Sequence, residues 1–173
     1  MRGGGGSDVV QDRIERNEKR LASQPRNEAA LKALVRDYQA QAAAESDEST
    51  GGQFSEDSKD ELREAAKYWQ RYLALEDVKP DSSLAAVALR VYDVGALNRP
   101  KEAQRAAAIL ADAQNNYQSY LQLVSYATLA GDDRTADLAT LRAIDLAPKG
   151  SRDQVRRTAK QLKTAAEQQQ ASG

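Results

Sequence analysis

Leu31, Leu34, Val35 and Tyr38 recur at intervals of three and four residues, and the same rhythm returns in Val87, Val91 and Val94 and again in Tyr120, Leu123, Val124 and Ala127. Such spacing lays each set along one face of an α-helix. Each set is followed by a second, smaller-featured one: Ala65, Trp69 and Tyr72; then Ala103, Ala107 and Leu110; then Ala136, Thr140 and Ala143. The apolar positions therefore predict helices arranged in pairs.

Local start and stop signals divide the chain further. Asp8 with Gln11, Ser58 with Glu61, and Ser151 with Gln154 have capping-box spacing, in which the first side chain takes a free helix N–H and the other reaches back. Asn27, Asp81, Asn116 and either Asp132 or Asp133 are simple N-cap candidates, and Pro100 suits a first helical position. Together these predict about eight helices, over 8–23, 27–44, 58–77, 82–97, 100–113, 117–130, 133–147 and 151–169.

Three stretches fall outside this pattern. Residues 1–7, MRGGGGS, read as a flexible glycine-rich lead-in, because four successive glycines are costly to hold in a helix. Residues 45–57 read as an acidic loop with glycines at 51 and 52, and Phe54 is its one large apolar residue, expected to fold back on the domain. The end, 170–173, is expected to fray. The single helical domain then covers 8–169.

Aligning Ala136 with Ala103 and Ala65 superposes the helix pairs at a period of 33 residues, then 38, and self-similarity at about this spacing is a signature of stacked helical units. LKALVRDYQAQA resembles the first helix of a tetratricopeptide repeat, and ADLATLRAIDLAP resembles the second with its terminating proline. RIERNEKRLASQPRN resembles an unpaired second helix. The resemblance covers roughly residues 13–148. It implies an all-α fold, a right-handed α-α superhelix of antiparallel helix pairs. Arg90 stands where the family prefers leucine, no glycine follows Leu34, Arg90 or Leu123, and the acidic loop splits the first pair. Ala136 and Ala143 read as spacers at a close helix crossing, where anything larger than a methyl group would push neighbours apart. The last helix, SRDQVRRTAKQLKTAAEQQQ, reads as a polar cap on the stack.

Composition supports this class. Hydrophobic residues make up 40% of the 173 and aromatics only 5%, and the alanine and leucine that dominate favour helices over strands. The chain has no histidine and no cysteine, which removes the commonest general base, the thiolate nucleophile, the disulfide and the usual zinc ligands. No catalytic residue, metal site or cofactor site is expected. The carboxylate pairs Asp132–Asp133 and Asp57–Asp60 stand at helix starts, where they cap N–H groups. Trp69 and Tyr72 are read as core and Tyr68 as accessible. A formal net charge of −1 gives no attraction to nucleic acid or to an anionic membrane. It conceals an acidic segment (Glu45, Asp47, Glu48, Glu56, Asp57, Asp60, Glu61) and a basic end (Lys149, Arg152, Arg156, Arg157, Lys160, Lys163).

The functional expectation is a non-catalytic protein–protein interaction or scaffold module. The alternative is a structural or assembly subunit of a membrane-associated or envelope complex that acts by self-association. In the tetratricopeptide family the first helix of each pair lines a concave groove for a peptide. The resemblance carries that role to Lys32, Arg36 and Gln39, to Ala88 and Tyr92, and to Leu121, Ser125 and Thr128. Lys32 and Arg36 stand four apart on one helical face, a geometry that could hold an acidic side chain or a terminal carboxylate. The expected partner is a protein or peptide, with acidic character; nucleic acid is not expected. No stretch reaches the roughly 20 apolar residues of a membrane span. The chain would be cytoplasmic if complete, and membrane-tethered if an anchor precedes residue 1.

Overall fold

The computed structural model describes residues 5–45, 54–76 and 78–171. Among them are eight α-helices and no strand. They are α1 (Gly5–Ser23), α2 (Glu28–Glu45), α3 (Glu56–Leu73), α4 (Ser82–Tyr92), α5 (Pro100–Gln114), α6 (Tyr117–Leu129), α7 (Asp133–Leu146) and α8 (Arg152–Ala171). A short 3-10 turn, Lys149–Ser151, leads into α8. Contacts divide the chain into two compact units that meet in sequence between Asn98 and Arg99, so α4 and α5, the expected second pair, fall on either side of the division.

The first unit is built on α2, which packs against α1, α3 and α4. Tyr38 stacks on Tyr68 with ring centroids 5.8 Å apart, and Lys32 lies over the Tyr72 ring at 6.0 Å. Rising numbers on α2 meet falling numbers on α3, so the two run antiparallel. Leu31, Leu34 and Val35 of α2 and Leu62, Ala65, Trp69 and Tyr72 of α3 are buried between them. Arg13 of α1 closes on both carboxylate oxygens of the buried Asp37 on α2.

The second unit repeats this scheme. Here α6 packs against α5, α7 and α8, and α7 also packs against α8, as α3 does against α4. Val155 of α8 packs among Tyr117, Tyr120 and Leu121 near the start of α6, while Gln170 donates to the carbonyls of Thr128 and Leu129 at its end, each at 2.8 Å. So α8 runs parallel to α6. The hub helices correspond at their caps and in their first turns: Asn27 and Asn116 cap them by accepting the N–H three residues on, each at 2.9 Å, and Leu34–Val35 matches Leu123–Val124, also buried.

Several element ends differ from the sequence expectation. α1 begins at Gly5, so the lead-in is helical from there; a helix established downstream adds a hydrogen bond for each residue it recruits. α3 is capped by Ser55, which accepts the Ser58 N–H at 3.1 Å, and Ser58 is fully buried with its hydroxyl 2.9 Å from that of Ser55. Glu56 and Asp57 thus enter the first turn, where negative charge suits the helix dipole. α4 stops at Tyr92, because the N–H groups of Ala96 and Asn98 both turn back to the Asp93 carbonyl and Asn98 takes a left-handed φ of 50°. Ser151 lies in the 3-10 turn, and α8 starts one residue later. The end expected to fray is helical to Ala171, held by Gln170. Residues 46–53, most of the expected acidic loop, lie outside the described residues; after them, Phe54 is half-buried and its N–H meets the Gly95 carbonyl at 3.4 Å.

Candidate functional site

The expected groove residues are distributed over both units. In the first, Lys32, Arg36 and Gln39 are half-buried along α2. Ala88 and Tyr92 are in the core, at 0% and 1% exposure, and Tyr92 directs its hydroxyl toward the Ala66 carbonyl at 3.5 Å. In the second, Thr128 is buried with its hydroxyl returned to the Val124 carbonyl at 2.9 Å. Leu121 packs on the Ala143–Ala147–Val155 cluster, and Ser125 is half-buried. Ala88, Tyr92 and Thr128 are therefore structural, because α4 and α6 turn these positions toward their neighbours. Tyr68, read as accessible, is also buried. Its hydroxyl joins that of Tyr38 on one oxygen of Glu18, at 2.9 and 2.8 Å, and the cations of Lys67 and Arg71 lie over its ring. Burial and the Glu18 carboxylate push both phenols up in pKa.

What the structure does bring together is Lys32, Arg36 and Asp81. Asp81 ends the α3–α4 connection, whose path is set by Tyr72: its hydroxyl accepts the Asp81 N–H at 2.8 Å and donates to the Lys79 carbonyl at 3.3 Å. One Asp81 oxygen, Oδ1, caps α4 by accepting from the N–H groups of Ser83 and Leu84 and from the Ser83 hydroxyl, at 2.9, 3.2 and 2.6 Å. The other, Oδ2, holds the Lys32 ammonium at 2.6 Å and lies 3.7 Å from the Arg36 guanidinium. Arg36 in turn donates to the Ser83 hydroxyl at 3.3 Å, and Lys32 lies 3.5 Å from Glu28.

The hydrogen bond from Lys32, followed by those from Ser83, holds the Asp81 carboxyl well below the usual carboxylate range, and Asp81 raises Lys32 in turn. The two cations border a depression of about 550 Å³ that Asn27, Glu28 and Ala29 complete. Lys32 and Asp81 side chains are about a quarter exposed and Arg36 is 42% exposed, so Arg36 is the more open of the two cations. The sequence reading anticipated a carboxylate between Lys32 and Arg36; the structure supplies one from the same chain.

Asp132 accepts from Thr135 at the start of α7 and takes the Gln104 amide at 2.6 Å, and Asp60 pairs with Arg63, so these acids serve local structure. Among the described residues no cluster of three or more acidic, histidine or cysteine side chains is placed to hold a metal ion, and no helix is long and apolar enough to cross a membrane. Compared with protein-family models, curated proteins and solved structures, the chain matches none.

Proposed function

We propose that this chain is a non-catalytic protein-interaction module of tetratricopeptide-like helix pairs, and that the α2 face around Lys32 and Arg36 receives a carboxylate-bearing segment of a protein partner. The observation that carries this is the convergence of both cations on a carboxylate oxygen at the edge of an open depression. Asp81 needs only Oδ1 to cap α4. An incoming carboxylate competes for Lys32 and Arg36 while the fold stays intact, and Asp81 sets the threshold that a ligand must exceed.

The order of helices supports the repeat reading. In the second unit α6 and α8 run parallel, pack on each other and both pack against α7, and the first unit has the same set of packed pairs, the order of contacts expected of stacked antiparallel helix pairs.

The test uses the chain as bait in three forms. Wild type should capture acidic protein segments, Asp81→Asn should capture more because the competing charge is gone while the cap remains, and Lys32→Gln with Arg36→Gln should lose them. Added salt should weaken capture, since exposed charges are screened within about 8–10 Å. The same partner set from all three baits overturns the reading.

A further inference from the structure

Four charges alternate in sign along the α2 edge: Glu28, Lys32, Asp81 and Arg36. Their pairing and exposure are uneven. The inner two, Lys32 and Asp81, meet at 2.6 Å with side chains 24% and 23% exposed, whereas Glu28 stands 3.5 Å from Lys32 and Arg36 3.7 Å from Asp81, at 45% and 42% exposure. The inner charges therefore largely cancel, and the depression presents a negative end at Glu28 and a positive end at Arg36. The four formal charges sum to zero, so this edge is a dipole and not a basic patch. Glu28, Lys32 and Arg36 stand four apart on a stripe that winds through only about 80° of the helix, and the two ends are separated by about 12 Å along its axis.

On the reading of the Lys32–Arg36 face as a carboxylate site, on which this inference rests, we propose that the bound segment also carries a basic side chain, with its carboxylate on Arg36 and its cation on Glu28, and that Glu28 selects for it. In an extended chain, residues four apart lie on the same side and about 13 Å from each other, which matches the span from Glu28 to Arg36. The partner is thus an extended protein segment with a lysine or arginine four residues from a glutamate or aspartate. A segment of acids alone brings its second carboxylate to Glu28, where like charges repel.

The groups around Glu28 leave its carboxylate open to such a cation. Arg26, two residues earlier, is paired with Glu76 at 3.2 Å, and the Asn27 amide donates to Gln24 at 2.7 Å. Lys32 is drawn the other way, toward Asp81, whose hydrogen bond is the first cause of its raised pKa. A glutamate in a first helical turn also complements the helix dipole. That role needs only a negative charge near the helix end, and it does not require the side chain to line the depression, as Glu28 does.

The experiment titrates the full chain at low salt with end-blocked glycine–serine peptides, followed by backbone amide chemical shifts. One peptide carries a single glutamate; two others add a lysine four residues before or four residues after it. Wild type should bind the better of the lysine-bearing peptides about two- to fivefold more tightly than the glutamate-only peptide, the range of an exposed ion pair. Glu28→Gln should abolish that preference and Glu28→Asp should keep it. Each ratio compares peptides on one variant, so a change in stability does not move it. Lys32→Gln with Arg36→Gln should lose all three peptides. Lysine-bearing peptides bound no more tightly than the glutamate-only one, or a preference that survives Glu28→Gln, overturns the proposal and leaves the carboxylate site standing. No binding to either wild type or Asp81→Asn, or binding that survives the loss of both cations, overturns the carboxylate site and this inference with it.

Discussion

Asp81 divides one carboxylate between two tasks, a helix cap on Oδ1 and a cation clasp on Oδ2, and substitutions can separate them. Asp81→Ala removes both and should destabilise the first unit by about 1–2 kcal/mol in urea unfolding, the usual range for a lost cap. Asp81→Asn keeps the cap and should cost less. Because the folded carboxyl titrates below its ordinary value of about 4, its stabilising contribution is complete above about pH 5 and is lost as pH falls below that. The stability of Asp81→Asn should therefore depend less steeply on acid than that of wild type. The cap itself was legible in the sequence, as were those of Asn27 and Asn116 and, as one of two adjacent candidates, Asp132, because a cap reaches only two or three residues along the chain. The clasp was not. Lys32 and Asp81 meet because the Tyr72 hydroxyl fixes the chain before α4, and no local pattern announces that. The burial of Tyr68 was hidden for a similar reason, since it depends on Glu18 arriving from α1.

At the scale of the element, the alanines of α7 hold the second unit together by being small. Ala136 and Ala143 are 1% and 0% exposed, and Ala136→Leu should destabilise by about 1–3 kcal/mol, since added methylenes at a close crossing drive the helices apart. Trp69, at 2% exposure and tilted against Tyr72 with centroids 5.6 Å apart, should cost about 3–5 kcal/mol when replaced by alanine. Chemical denaturation checks both. The number of helices among the described residues was legible because the apolar period and the caps agree. The groove was less so: the offsets that place Lys32 and Arg36 at an open edge also place Tyr92 and Thr128 in the core. Which side of a helix is covered depends on how many neighbours it has, and α4 and α6 have more than a simple pair would give them. The outward leucines of α7, Leu138 and Leu141, 58% and 61% exposed, were equally unmarked, because they are spaced as core residues often are.

For the molecule as a whole, the two units carry separate cores, so damage to one should leave the other's core intact. Trp69→Ala and Ala136→Leu should be additive within about 0.3–0.5 kcal/mol, and hydrogen exchange should find protection in α5–α8 unaltered by Trp69→Ala. The charge asymmetry of the sequence also looks different at this scale. Much of it is spent locally: Glu56 and Asp60 pair with Lys59 and Arg63, Arg156 with Asp153, Lys163 with Asp137, and Arg152 serves the carbonyls at the end of α7. The Lys32–Arg36 edge is distinctive because its cations share their carboxylate with an open depression. The most direct measurement there is a titration of the chain with a short glutamate-rich peptide, followed by backbone amide chemical shifts. Shifts confined to Asn27, Glu28, Ala29, Lys32 and Arg36 and the neighbouring Ser83, larger in Asp81→Asn and abolished in Lys32→Gln with Arg36→Gln, are the expected result. No shift in either wild type or Asp81→Asn, or shifts that persist when both cations are removed, would contradict the assignment of this face.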